Sequence, residues 1–178
     1  MSRKPGSMYR DPIGQPYCRT EYIRSVPHSR ITRDNIGKLR PNYNLRLSAH
    51  VDRDVQIRDS CLEACRVTLN RHLVRDVGKD AFFARFRKMP YQILRENKMA
   101  TGAGADRLSS GMRHAFGKTV GRACRYRKGE KLLDVLIEHK HSDATYRVLK
   151  GLASKLSCGI TIQIEPKVTI DENHEAVV

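Results

Sequence analysis

Asp106, Ser110 and His114 recur every four residues. On a helix that spacing would align a carboxylate, a hydroxyl and an imidazole as a nucleophilic relay, which needs a rigid, dry pocket. These three sit instead in RENKMATGAGADRLSSGMRHAFGKT, Arg95 to Thr119, a run with four glycines (Gly102, Gly104, Gly111, Gly117) and little to bury. A polar turn is the economical reading. Gly117, Lys118 and Thr119 resemble the end of a phosphate-binding GxxxxGK[ST] loop, but the position five before Gly117 is Met112 and the nearby Gly111 falls one residue too early. Gly102 and Gly104 lack the third glycine of a GxGxxG turn. Cys61 and Cys65 stand four apart on a helical pattern and would need His72 or His114 to complete a metal site, whereas cysteine as a small apolar side chain is far commoner. No catalytic residue, metal or cofactor is assigned.

What the run does offer is charge with backbone exposure. Arg95, Lys98, Arg107, Arg113, His114 and Lys118 outnumber Glu96 and Asp106, and glycine lets amides approach phosphates and sugar hydroxyls closely. Long loops without structure of their own are uncommon in small domains and tend to be functional. The whole chain repeats the bias: 34 Lys and Arg against 19 Asp and Glu give a formal charge of +15 over 178 residues. Such a field favours a polyanion, and nucleic acid is the first partner to consider. No long apolar run and no basic amphipathic helix with a bulky aromatic face points to a membrane. The start, MSRKPGSMYRDP, lacks the apolar stretch of a signal peptide, so cytoplasmic residence is expected. Five cysteines without a CxxC pair argue against a disulfide framework or a zinc ribbon, and reduced thiols fit the same compartment.

The elements that must position this loop follow from periodicity. From Met1 to about Pro41 aliphatic residues are scarce, prolines at 5, 12, 16 and 27 break helices, and arginines alternate with Tyr9, Tyr17 and Tyr22. That reads as an extended arm, ordered only by lying on something else. A half-buried strand is expected at 45–51, where Leu45, Leu47, Ala49 and Val51 alternate with Arg46, Ser48 and His50. A helix follows at once, capped by Asp59 or Ser60, with Leu62, Cys65, Leu69 and Leu73 inward and Gly78 at its C-cap. Strands at 82–88 and 91–95 feed the loop. Beyond it, 119–126 and 131–138 read as a hairpin, then come a second helix from Ser142 or Asp143 and a last strand through Ile160, Ile162 and Ile164. The expected class is α+β: two helices on one face of a mixed, mostly antiparallel sheet whose other face stays polar. The expected organisation is an arm over 1–43, one core over 44–166 carrying the loop at 97–118, and a loose tail over 167–178.

Three segments make the chain recognisable. They are RENKMATGAGADRLSSGMRHAFGK (Arg95 to Lys118), QIRDSCLEACR (Gln56 to Arg66), and KPGSMYR with PYCRTEYIRSVP in the arm (Lys4 to Arg10 and Pro16 to Pro27). In order and spacing the chain resembles the large-subunit ribosomal protein family called L-sixteen in bacteria and L-ten-e in archaea and eukaryotes, from residue 4 to about 156. The resemblance implies an α/β-hammerhead-like sandwich, docked on large-subunit ribosomal RNA between the central protuberance and the peptidyl transferase region. It implies a loop pointing towards A-site and P-site tRNA, neighbouring large-subunit proteins as partners, and no homo-oligomer. Carried over by position, Arg95, Asn97, Lys98, Arg107, Met112, Arg113, Phe116 and Lys118 are the expected loop contacts, and Arg3, Lys4, Arg10 and Arg19 the arm contacts. His114, Arg122 and Arg125 extend that RNA-binding set through their charge and position. Ala100, Thr101, Gly102, Ser109, Ser110 and His114 depart from common forms, and the short ending GITIQIEPKVTIDENHEAVV favours an archaeal type.

Two other classes explain the charge. An RNA-modifying enzyme using the loop to hold its substrate would need a cofactor pocket or a fixed acid/base pair, and none survives the spacing checks. A DNA-binding regulator would need a recognition helix with a turn and a second helix, which the helix near Ser60 lacks.

Overall fold

A computed structural model describes residues 5–15, 18–40, 43–97, 102–105, 117–166, 169–170 and 176–177. In chain order its regular elements are β1 (Asn35–Gly37), β2 (Leu45–Val51), β3 (Val55–Arg58), α1 (Asp59–Asp76), β4 (Phe82–Phe86) and β5 (Gln92–Glu96). After the loop come β6 (Lys118–Tyr126), β7 (Lys131–Ile137), α2 (Ser142–Leu152), β8 (Ile160–Pro166) and a two-residue ribbon of β9 (Thr169–Ile170) and β10 (Ala176–Val177). The fold is α+β, as expected.

One sheet was expected, and the described strands form two larger ones. A five-stranded sheet runs β1-β4-β7-β2-β8 and a three-stranded sheet runs β3-β6-β5. Every described pairing is antiparallel, so the sheets are not mixed. The strands β6 and β7, read as a hairpin, do not pair: β6 lies between β3 and β5, while β7 lies between β4 and β2. The chain changes sheet at three short connections, 52–54, 87–91 and 127–130. These three connections hold one another. The Gly129 N–H donates to the Val51 carbonyl (2.8 Å), Val51 N–H to the Glu130 carbonyl (3.1 Å), Arg87 N–H to the Leu132 carbonyl (3.1 Å), and Lys128 N–H to Asp54 Oδ1 (2.8 Å). A turn that carries the chain from one sheet into another reads locally like a hairpin turn, since both are short, polar and glycine-bearing.

Leu62, Cys65, Leu69 and Leu73 line one stripe of α1 at the period that buries a helix face, and all four are fully buried. They meet Leu149 and Leu152 of α2, the inward residues Leu47 and Ala49 of β2, and Leu133, Val135 and Ile137 of β7 in one apolar cluster. Val77 and Gly78 N–H groups both return to the Leu73 carbonyl, and Gly78 takes a positive φ of 110°, a left-handed helix stop. At the other end the cap differs from expectation. Arg58 occupies the N-cap without a side-chain capping bond, and Asp59, inside the first turn, accepts from Ser60 N–H at 2.7 Å.

Strand β2 is more buried than its alternation implied. As a central strand flanked by β7 and β8 it hides Arg46, Ser48 and His50 as well as its apolar residues. Arg46 reaches Glu165 at 3.3 Å, His50 Nδ1 lies 2.8 Å from the Gly129 carbonyl oxygen, and Asp134 on the neighbouring strand is ion-paired with Arg87. Long charged neighbours thus close over a face expected to stay polar. The five-stranded sheet also reaches ahead of residue 44. Ile36 of β1 pairs with Ala84, and Ile31, Ile36 and Tyr43 are buried, because three strand residues with an apolar centre suffice to add an edge to β4.

Candidate nucleic-acid interface

The loop is mounted on the three-stranded sheet. Strands β5 and β6 run antiparallel with Gln92 opposite Ala123 and, after a register shift, Arg95 opposite Thr119 and Glu96 opposite Lys118. Residues 97 and 117 therefore leave and re-enter at one end of a hydrogen-bonded ladder. Gly117 closes that stem at φ +75°, and a Cβ there would stand 2.6 Å from the Glu96 carbonyl carbon and 2.7 Å from Asn97 N. Only glycine meets both conditions. Within residues 102–105 the Ala105 N–H donates to the Gly102 carbonyl at 3.2 Å, a tight turn.

The arm lies along the same sheet and braces the stem. A 3-10 turn at Gly6–Tyr9 presents the Tyr9 hydroxyl to Glu96 Oε2 at 3.4 Å, and Arg58 stands 5.7 Å over the Tyr9 ring. Burial, and then the Glu96 carboxylate, push the Tyr9 hydroxyl above the ordinary phenol value. Gln56 binds the arm twice, its N–H donating to the Arg10 carbonyl (2.6 Å) and its Nε2 to the Tyr9 carbonyl (3.1 Å). Asp59, buried at the start of α1, accepts from Arg30 N–H at 3.3 Å.

Of the residues expected to touch RNA, Arg95, Asn97 and Lys118 gather at the stem, with Arg95 and Lys118 exposed. Arg19 is exposed on the arm, accompanied by Tyr22 and Arg24, and Arg10 is half-buried beside β3. Arg122 and Arg125 are spent differently. Arg122 Nε donates to the Pro27 carbonyl at 2.7 Å. Arg125 donates to the Ile13 carbonyl at 2.7 Å, the Gly14 carbonyl at 2.8 Å and Gln56 Oε1 at 3.1 Å. Both fasten the arm to β6, a role that charge alone does not distinguish from phosphate binding. Arg3, Lys4, Lys98, Arg107, Met112, Arg113, His114 and Phe116 lie outside the described residues, as does the Asp106, Ser110 and His114 set. Sequence reasoning passed over Tyr91, an exposed aromatic at the entry of β5. Its signal was an aromatic directly after Pro90, with Arg87 and Lys88 just before.

Cys65 and Cys124 are fully buried, and burial pushes each thiol up to about 12. Both pack within the apolar cluster as small apolar side chains. No described helix is long and apolar enough to cross a membrane.

A strongly basic α+β domain, with a cationic glycine loop on a braced stem and an arginine-bearing arm beside it, belongs to the class of proteins that dock on a polyanion by surface shape and charge. Comparison with known proteins makes the class specific. The family model for ribosomal protein L16p/L10e matches residues 12–163, and the chain belongs to that family. It is similar to large ribosomal subunit protein uL16 of Methanoculleus marisnigri, 46% identical over 156 residues that cover 88% of this chain and 92% of the relative. The protein of the same name in Natronomonas pharaonis is 42% identical over 169 residues, 93% of this chain and 96% of the relative. That of Archaeoglobus fulgidus is 38% identical over 175 residues, 98% and 97%. The role that follows is structural, in the large subunit of the cytoplasmic ribosome, and the archaeal affinity expected from the sequence holds.

Proposed function

We propose that this chain binds large-subunit ribosomal RNA near the peptidyl transferase region and central protuberance, and that its 97–118 loop approaches A-site and P-site tRNA during translation. The observation that carries this is the braced stem. Residues 97 and 117 are fixed by the β5–β6 ladder, the glycine at 117 and the arm across Glu96, so both ends of the cationic run are set at one end of the three-stranded sheet. Arg95 and Lys118 at its root and Arg19 on the arm supply exposed charge for phosphate contacts. Lys98, Arg107, Arg113 and His114 continue the same charge along the loop. In this role the chain positions RNA and does not itself catalyse peptide transfer.

Two measurements test it. Binding of the full chain to large-subunit ribosomal RNA is expected to weaken by roughly 10³- to 10⁵-fold between 50 and 200 mM salt, if about six to ten phosphates are neutralised. Large subunits carrying a chain that lacks residues 101–110 are expected to keep one copy through a high-salt wash on a sucrose gradient, yet to bind A-site and P-site tRNA poorly. Loss of the shortened chain from the subunits would make the loop an anchor, and unchanged tRNA binding would refute its approach to tRNA.

A further inference from the structure

The three sheet-changing connections meet the arm around a cavity of about 350 Å³, lined by Pro12, Asp54, Lys88, Tyr91, Arg125, Tyr126, Arg127 and Glu130. That volume falls in the range of about 300–1,000 Å³ common for small-ligand pockets. One wall is Tyr91, whose side chain stays out of the apolar core and whose residue is 42% exposed. Its backbone is fixed, because Tyr91 N–H donates to the Ala123 carbonyl at 3.1 Å and Pro90 before it is buried. Pro12 lines the cavity from the arm, and the residues after it, Ile13 and Gly14, are tied down by Arg125. The floor is Tyr126, fully buried, with the Lys88 ammonium 5.4 Å from its ring centroid.

The charges say what kind of ligand fits. Lys88 is clamped by both Glu130 oxygens at 2.7 and 2.8 Å, and Arg125 has already given Nε, Nη1 and Nη2 to protein acceptors. Neither offers the free donor fork that a phosphate asks for. Burial alone would raise the Glu130 carboxyl, but Lys88 and the Arg127 N–H outweigh it and hold the group below the ordinary carboxylate value. Glu130 accepts from Lys88 through both oxygens and from the Arg127 N–H, and Asp54 Oδ1 accepts from the Lys128 N–H, so each carboxylate keeps lone pairs over for a ligand donor inside the cavity. An aromatic face, a proline face, the flat side of a guanidinium and carboxylate acceptors together suit a nucleobase, whose faces stack and whose ring and exocyclic N–H groups donate. Arg127, exposed at the rim, is placed for the phosphate attached to that base.

We propose that this cavity receives one unpaired base of the bound RNA, stacked on Tyr91. The proposal rests on the reading that the chain binds large-subunit ribosomal RNA and adds the nucleotide-level contact. A base inside a duplex exposes neither its faces nor its pairing edge, so the occupant is an extruded or single-stranded nucleotide.

The test is chemical probing of unpaired bases in large-subunit ribosomal RNA bound to the full-length chain, with wild type, Tyr91→Phe, Tyr91→Leu and Tyr91→Ala. One base is expected to be protected by wild type and Tyr91→Phe and to become reactive with Tyr91→Leu and Tyr91→Ala, while the rest of the footprint stays. Affinity is expected to fall on the order of 10- to 100-fold for the alanine variant, the usual consequence of losing one stacked base. The leucine variant keeps apolar bulk, so it decides the matter should alanine disturb the fold. An intact footprint with the same base reactivity in all four proteins would overturn the proposal. No footprint even for wild type would instead overturn the RNA-binding reading on which it rests.

Discussion

Gly104 and Gly117 form a matched pair for measuring how the loop stem is held. Both have nearly the same backbone angle, φ +77° and φ +75°, so replacing either by alanine incurs the same left-handed penalty of roughly 1–2 kcal/mol, and the same entropic relief in the unfolded chain. They differ in surroundings. Among the described residues a Cβ at 104 meets nothing within 4 Å, whereas at 117 it meets the Glu96 carbonyl carbon and oxygen at 2.6 and 2.7 Å and Asn97 N at 2.7 Å. Those neighbours are backbone atoms of the opposite stem strand and cannot swing aside as a side chain would. Forcing them apart has the cost of overpacking, about 1–3 kcal/mol, and that difference is all the comparison measures. For a chain of this size 1 kcal/mol moves the melting temperature by roughly 2–4 °C. Gly117→Ala is therefore expected to melt some 2–12 °C below Gly104→Ala, by the product of those two ranges. Amide exchange should report the loss first at Arg95 and Thr119, the pair next to the stem. Equal melting temperatures for the two variants, or protection at the stem unchanged by Gly117→Ala, would show that the stem is not clamped as described.

Arg122→Ala with Arg125→Ala removes the donors that hold the Pro27, Ile13 and Gly14 carbonyls, and should free the arm without melting the apolar core. At about 1–2 kcal/mol for bonds that are partly solvated, tryptic cleavage between Arg19 and Arg30 should quicken roughly 5- to 30-fold, and an unchanged rate would deny these arginines an anchoring role. The buried thiols set an alkaline limit. Cys65 and Cys124 are pushed up to about 12 and Cys158 to about 11, from an ordinary value of 9.0. Above pH 9 the unfolded chain loses these protons while the folded one keeps them, so their stabilising contribution is complete below pH 9 and is lost as pH rises through 11–12. The urea midpoint should fall between pH 8.5 and pH 11, and a thiol reagent at pH 8 should modify Cys18 and Cys61 well before the other three.

Local signals were readable where a single element decides them. The stripe of Leu62, Cys65, Leu69 and Leu73, the stop at Gly78 and the alternation of Ile160 and Ile162 are each written within one helix or strand, and the structure follows them, whereas Ile164, expected in the same row, is exposed near the end of β8. The division into two sheets was not readable, because it depends on which distant strand each edge meets. Leu133 to Ile137 alternates well enough for a hairpin arm, yet its partners are 45–49 and 82–86 rather than the strand just before it. Val55–Arg58 alternates Val55 and Ile57 with Gln56 and Arg58, but four residues abutting a helix start are too few to set a strand apart from the helix that follows. Arginine was the most ambiguous letter of all. Arg46 pairs within the sheet, Arg58 sits over a tyrosine, Arg122 and Arg125 bind arm carbonyls, and Arg19 and Arg95 face solvent, with nothing in composition to separate them.

Those assignments bear on how the loop and the arm work together. The stem residue Glu96 accepts from Tyr9, Tyr9 lies under Arg58, and the residue after Arg58 is Asp59, which accepts from Arg30 further along the arm. Arg122 and Arg125, on the strand that returns from the loop, hold the arm at Pro27 and at Ile13 and Gly14. Loop stem, helix start and arm are thereby parts of one hydrogen-bonded layer over the three-stranded sheet. A ligand that orders the arm must also favour the stem geometry, since the same bonds serve both, and by linkage a ligand that fixes the loop must favour the docked arm. A basic arm with too few aliphatic residues to fold alone is in this way made part of the platform on which both ends of the loop are set.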